Sequence, residues 1–245
     1  MSITIRCVTL RDLDALADID RKLWTRNGID GFTRTHHRAW LEVNPEWFLL
    51  AECRGSIVGY TYNQLVHFDP DDLSSYTSCD GATDQSFTRR THDPRGNGLY
   101  GITIGSTMRG AGRALNEALY DKMREVSLRY HLGAPRLPGF GSYMERVENE
   151  VGGRATLDFE RECALFYAHR CVRLAGARTW PVCPPELRLD LPDVTQPDPV
   201  LNWHLWRPEV GLLGVRASYF RDPPSRNYSA LTCHDRKLDQ PDSGC

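Results

Sequence analysis

The stretch that most constrains this chain is Leu99-Tyr100-Gly101-Ile102-Thr103-Ile104, followed closely by Arg109-Gly110-Ala111-Gly112-Arg113-Ala114. An apolar strand runs into a small-residue turn, and a helix opens behind it. Glycines in such a turn let successive backbone N–H groups face one point, and the helix N-terminus adds its partial positive charge. Arg109 and Arg113 add formal charge beside it. The segment therefore predicts a strand, a helix packed on it and an anion site at their junction, with a phosphate-bearing cofactor as the natural occupant. It lacks the G-x-G-x-x-G of dinucleotide folds and the Gly-Lys-Ser/Thr of a Walker loop.

The flanking segments supply the rest of the order. Ile3 to Thr9 reads as a first strand, after which Thr9 reads as a helix N-cap with Asp12 in the first turn. Leu13, Leu16, Ile19 and Leu23 follow at helical spacing, which predicts an amphipathic helix to about Trp24. Arg26 to His37 reads as a loop or short helix. Trp47 to Cys53 and Ser56 to Val66 read as a hairpin turned at Arg54-Gly55. Asp69 to Gly98 is polar and reads as a loop or short helical insertion before a fourth strand, Leu99 to Gly105. From Gly112 the stripe Ala114, Leu115, Ala118, Leu119, Met123 and Val126 predicts a helix, with Gly133 and Pro135 as its stop. Arg136 to Phe140 reads as a turn, Met144 to about Cys171 as a helix broken at Gly152-Gly153, and Thr179 to Pro199 as irregular. Pro199 to Trp206 reads as a short helix, and Leu212 to Ser218 and Asn227 to Cys233 as late strands. The sum is an α+β domain around one mostly antiparallel sheet. It covers residues 1–235, with a flexible tail at 236–245.

Bulk properties narrow the function. A net charge of −2 over 245 residues gives no global field for nucleic acid or an anionic membrane. No apolar run approaches the roughly 20 residues of a membrane helix. The N-terminal residues alternate like a strand and lack a signal peptide's apolar core, so a cytoplasmic protein is expected. The 8 cysteines are scattered without a C-x-x-C pair. Even the closest group, Cys163, His169, Cys171 and Cys183, matches no common metal spacing, so buried free thiols and no metal are expected.

The turn Arg109-x-x-Gly112-x-Ala114 resembles the pyrophosphate loop of the GNAT acyltransferases, Arg/Gln-x-x-Gly-x-Gly/Ala. The likeness continues in His92-Asp93-Pro94-Arg95-Gly96-Asn97-Gly98-Leu99-Tyr100-Gly101, in Arg136-Leu137-Pro138-Gly139-Phe140, in Asp198-Pro199-Val200-Leu201, and in the run from Tyr219 to Tyr228, each similar to a segment of one bacterial subgroup. Residues 141–197 fall outside it and stand as an atypical insertion. The resemblance implies a GNAT fold: a central, mostly antiparallel mixed sheet flanked by helices, its fourth strand bulged and splayed from the fifth. It also implies that backbone atoms of Ile102, Thr103 and Ile104 meet a pantetheine arm, and that Arg109, Gly110, Ala111, Gly112, Arg113 and Ala114 hold the pyrophosphate. Acetyl-CoA or another acyl-CoA is the implied co-substrate.

Moving an acyl group from a thioester to an amine requires a base for the amine, a donor for the oxyanion and a proton for the departing thiolate. The family's usual acid is a tyrosine on the helix after the fifth strand. The matching helix reads as Asp198 to Trp206, which offers His204 as a base and no tyrosine. The remaining acid candidates are Tyr219 and, on a second alignment through Ala164 to Val172, Tyr167. Three functions stay open: transfer from a CoA thioester to a small-molecule amine, transfer from a phosphopantetheine thioester on an acyl carrier protein, and non-catalytic CoA binding. A homodimer is one possible assembly.

Overall fold

The computed structural model describes residues 2–25, 31–187, 190–207 and 209–239. Part of the Arg26–His37 loop, the end of the polar tail and Pro208 therefore lie outside the described residues. The chain divides into two compact units, Met1–Phe68 with Cys79–Arg129, and Asp69–Ser78 with Tyr130–Cys245.

In the first unit, β1 (Thr4–Cys7), β2 (Phe48–Cys53), β3 (Ser56–Val66) and β4 (Gly98–Ser106) are antiparallel neighbours in that order. Side-chain alternation along the strands sends two apolar sets to opposite faces. Phe48, Leu50, Tyr60 and Tyr62 pack with Leu13, Leu16 and Ile19 of α1 (Leu13–Trp24) and Trp40 of α2 (Arg34–Val43). After a five-residue helix α3 (Cys79–Thr83) comes α4 (Ala111–Glu125), whose Ala111 and Leu115 meet Leu49 and Ala51 on the other face. The predicted cap at Thr9 is present, with the Thr9 amide donating to Asp12 Oδ2 at 2.8 Å. The segment between β3 and β4 is clamped at its ends. Phe68 N–H donates to Asn97 Oδ1 at 2.7 Å, and Asn97 Nδ2 returns a bond to Phe68 O at 2.9 Å.

In the second unit, β5 (Tyr130–Gly133), β6 (Arg178–Thr179), β7 (Val210–Arg216) and β8 (Ser229–Asp235) lie in the order β5-β8-β7-β6, with only β6–β7 parallel. Helices α5 (Pro138–Val151) and α6 (Leu157–Leu174), with the short α7 (Pro199–His204), enclose Phe140, Met144, Val147, Ala164, Ala168 and Leu201.

Two expectations are corrected. The helix from Gly112 does not run to Gly133. It ends at Glu125, Ser127 turns left-handed at φ 59°, and Tyr130–Gly133 is the fifth strand. Four residues carry too little periodicity to separate a strand from a helix end. Nor is Arg136–Phe140 wholly a turn, because Pro138 opens α5, where a fixed φ and a missing N–H cost nothing.

Arg226, left-handed at φ 48°, pairs with Glu148 at 2.8 Å and Glu160 at 3.3 Å. The Arg226 guanidinium pulls the Glu148 carboxyl down from 4.5 to about 2. A carboxyl depressed on folding adds stability above its ordinary value and loses it as pH falls toward the folded value. Urea midpoints of wild type are expected to drop between pH 4.5 and 2, and Glu148→Gln should flatten that limb while lowering the midpoint at pH 7.

Candidate functional site

The fourth strand carries the expected irregularity. Tyr62 pairs with Thr103 and Asn63 with Gly101, so Ile102 is the extra residue of a β-bulge. A bulge turns two successive side chains toward one face and frees a backbone group from the ladder. Here Ile102 packs with the cluster holding Tyr60 and Tyr62, while Ile104 falls on the α4 face. Thr61 Oγ1 ties the strand beyond the bulge by donating to Thr103 O at 2.9 Å.

Beyond the strand, Gly110 is the N-cap of α4 at φ 88°. No atom lies within 4 Å of a Cβ built there, so conformation rather than space selects glycine at this turn. The helical ladder opens with the Ala114 amide donating to Gly110 O at 3.0 Å. The amides one turn earlier belong to the helix end, where a positive partial charge collects. Arg109 is exposed, and Arg113 pairs with Glu117 at 2.9 Å. All nine residues expected to meet the cofactor, Ile102 to Ile104 and Arg109 to Ala114, thus form one continuous strand–turn–helix of the first unit.

A polar group missed in the sequence reading lies on the Tyr60 face. Asp20 of α1 is fully buried. Its Oδ1 accepts from Tyr60 Oη at 2.6 Å and Trp24 Nε1 at 2.7 Å, and its Oδ2 meets His37 Nε2 at 2.6 Å. Burial, with the Asp20 charge beside it, raises the Tyr60 phenol well above 10. In sequence, Asp20 looks like the polar side of an amphipathic helix, and only the fold turns it inward.

The three catalytic candidates belong to the second unit. Tyr167 is buried on α6, and its hydroxyl donates to Asp198 Oδ2 at 3.3 Å. Burial first, then Cys171 and Asp198, push that phenol far up. Asp198 is the N-cap of α7 and also accepts from the amides of Gly139, Val200 and Leu201 at 2.8, 2.9 and 3.1 Å. His204 stands at the other end of α7, about 9 Å along the helix axis at 1.5 Å per residue. A Cβ on Gly133 would sit 3.0 Å from His204 Nδ1 and 3.1 Å from Thr232 Oγ1, so His204 lies on the β5 and β8 face. His131 and His234 pair across those strands, two residues along on the same face. Burial lowers His204 to about 4, and burial with the two neighbouring imidazoles lowers His131 to about 3. Tyr219 is buried in the turn after β7, its amide donating to Asn227 O at 3.2 Å. Because the fifth strand is Tyr130–Gly133, the helix that follows it is α5 and not Asp198–Trp206. That helix carries Tyr143, a buried tyrosine whose hydroxyl makes no hydrogen bond among the described residues.

The segments that carried the resemblance hold one another in place. Leu137 N–H donates to Ser225 Oγ at 2.9 Å, Gly139 N–H to Asp198, and Arg136 Nη1 to Asp222 Oδ1 at 3.3 Å. Asp222 and Ser225 are fully buried and bonded to each other. These residues frame the second unit.

No family model matches the chain, and no curated protein does. Among solved structures, the GNAT-like decarboxylase GphF, determined in complex with isobutyryl-CoA, superposes with a TM-score of 0.64 at 19% identity, covering 95% of this chain and 98% of that one. The loading GNATL domain of CurA from Lyngbya majuscula superposes at 0.66 and 14% identity, covering 97% of this chain and 100% of that domain. Likeness at these identities speaks for architecture alone, and on it this chain has the GNAT fold.

Proposed function

We propose that the chain binds an acyl thioester of the CoA type and transfers its acyl group to a nucleophile. The observation that carries this reading is the unbroken run from the bulge at Ile102 through the left-handed Gly110 to the amide-rich start of α4. A pantetheine arm would lie along Ile102, Thr103 and Ile104 and pair with backbone groups. The pyrophosphate would rest on the turn, with Arg109 and Arg113 beside it. In the first reading the acceptor is a small-molecule amine. Its nitrogen attacks the thioester carbon, the C–N bond forms, the C–S bond breaks, and the thiolate takes up a proton. His204 is neutral near pH 7 and would take the amine proton, with Tyr219 or Tyr167 as the thiolate's donor.

A second reading replaces CoA with the same phosphopantetheine arm on an acyl carrier protein. It is favoured by likeness over the whole chain to a domain described as a loading domain. One assay separates the two. Purified protein is given acyl-CoA donors, including one whose acyl group bears a second carboxylate, with an amine panel or a phosphopantetheinylated carrier. Free thiol, carbon dioxide and carrier mass are followed. Acylated amine supports the first reading, and acylated carrier the second. Release of none of these leaves binding alone. Under the first reading His204→Asn lowers kcat about 100-fold, as loss of a general base does. The wild-type acid limb then falls near pH 4 rather than 6.5, because the base is active only above its own value.

A further inference from the structure

Inside the second unit, Arg136, Arg173 and Arg226 each meet a carboxylate. Arg216 does not. It is half-buried, and among the described residues its guanidinium donates to main-chain carbonyls alone, from Nε to Tyr76 O at 3.1 Å and from Nη1 to Val215 O at 3.2 Å. Burial lowers the guanidinium below its ordinary value, and the titratable groups that act on it among the described residues are the Tyr219 phenol and the Cys183 thiol, neither of them a carboxyl. A partly desolvated charge that nothing answers is costly, and a folded chain seldom keeps one without use for it.

The strand itself aims this side chain. Leu212 pairs with Thr232 and Gly214 with Leu231, so Leu213 is the extra residue of a bulge in β7. Strict alternation would put Arg216 on the side of Leu212, which packs in the α5–α6 core. The bulge turns Val215 to that core instead and sends Arg216 to the opposite face. There a Cβ on Gly214 would sit 3.6 Å from Arg216 Nη1 and 3.8 Å from Pro184 Cδ, so the guanidinium lies back over the glycine, beside the proline. A guanidinium has five N–H donors in a rigid fork, and the two carbonyls engage two of them.

We propose that Arg216 is a binding site for a single carboxylate, carried by a small monocarboxylic ligand and held through the remaining N–H donors of the fork. Charge selects the ligand class. No second cation acts on Arg216 among the described residues, so one negative charge completes the site, whereas a phosphate dianion would bring an excess charge into the same half-buried place. The carbonyl bonds fix the guanidinium before the ligand arrives, so little side-chain freedom is lost on binding. The site belongs to the second unit and does not depend on the thioester reading.

The test uses the full chain labelled with ¹⁵N in arginine and follows the Nε–Hε resonance that disappears in Arg216→Gln. Sodium butyrate should shift that resonance saturably, and sodium chloride at equal ionic strength should leave it in place. Inorganic phosphate should bind about tenfold more weakly than butyrate, a difference of about 1.4 kcal/mol. With butyrate at about ten times the Kd read there, the folding equilibrium constant of wild type should rise about tenfold by mass action, and that of Arg216→Gln should not change. Arg216→Lys keeps the charge without the fork and should weaken butyrate about tenfold. A resonance that moves alike with chloride and butyrate overturns the inference and leaves Arg216 as a tie between β7 and Tyr76. Tighter binding of phosphate than of butyrate, or equal butyrate affinity in Arg216→Lys, overturns it as well.

Discussion

Gly110→Val is expected to lose at least tenfold in affinity for CoA while the chain still folds. At φ 88° a β-branched residue clashes with its own backbone, at a cost of about 1–2 kcal/mol. The turn relieves this by rotating toward negative φ, and that rotation swings the first amides of α4 away from their common focus. An anion held by several backbone donors loses them together, and about 1.4 kcal/mol corresponds to each tenfold. Gly152→Val is the control. Gly152 is also left-handed, at φ 70° with open space around it, but it ends α5 in the second unit. It should lower thermal stability by a similar amount and leave CoA binding intact in calorimetry. Equal affinity in wild type and Gly110→Val would remove the turn from the binding site.

Asp198→Ala is expected to be the most damaging single change in the second unit, at about 3–5 kcal/mol in urea unfolding. The carboxylate is 1% exposed and accepts from three backbone amides and from Tyr167. Its loss strands buried donors that water cannot reach, which costs more than the bonds themselves contributed. Tyr167→Phe removes one of the four partners and should cost only about 0.5–1.5 kcal/mol. The pair also separates structure from chemistry. A Tyr167→Phe protein that folds nearly as well as wild type but turns over about 100-fold more slowly makes Tyr167 the acid. Equal turnover passes the test to Tyr219→Phe, and if neither change slows turnover both assignments are wrong.

Legibility differed between the units for physical reasons. Residues 3–24, 47–66 and 98–125 advertise themselves: long alternating strands, an N-cap at Thr9, an apolar stripe from Leu115 to Met123, whereas α2 (Arg34–Val43) reads only as a loop or short helix over Arg26–His37. Local propensity and tertiary position agree in those three stretches, so the fourth strand, the turn at Gly110 and the start of α4 were each readable. The fifth strand was not, because Tyr130–Gly133 is too short for a period and owes its state to pairing with Tyr130↔Asp235 and Gly133↔Thr232. The missed strand put the helix after the fifth strand at Asp198–Trp206 instead of α5, and only the second alignment kept Tyr167 of α6 as a candidate. The Asp20 network was invisible for another reason. A carboxylate on a helix is usually solvated, and only the placement of Tyr60 and His37, 40 and 17 residues away in sequence, makes it a buried hub.

The reciprocal bonds between Phe68 and Asn97 have an engineering consequence. They close the segment between β3 and β4 at one point, and Ala82, Thr88, Thr91 and His92 bond back to β3, so only the stretch outside those contacts is free to change in length. For a flexible loop, each doubling of length costs only about 0.6 kcal/mol. Asp71 and Asp72 are exposed shortly after Phe68, in that stretch. A reporter peptide or a docking tag spliced there would be carried by the protein as cargo, with the register of the bulged strand left untouched.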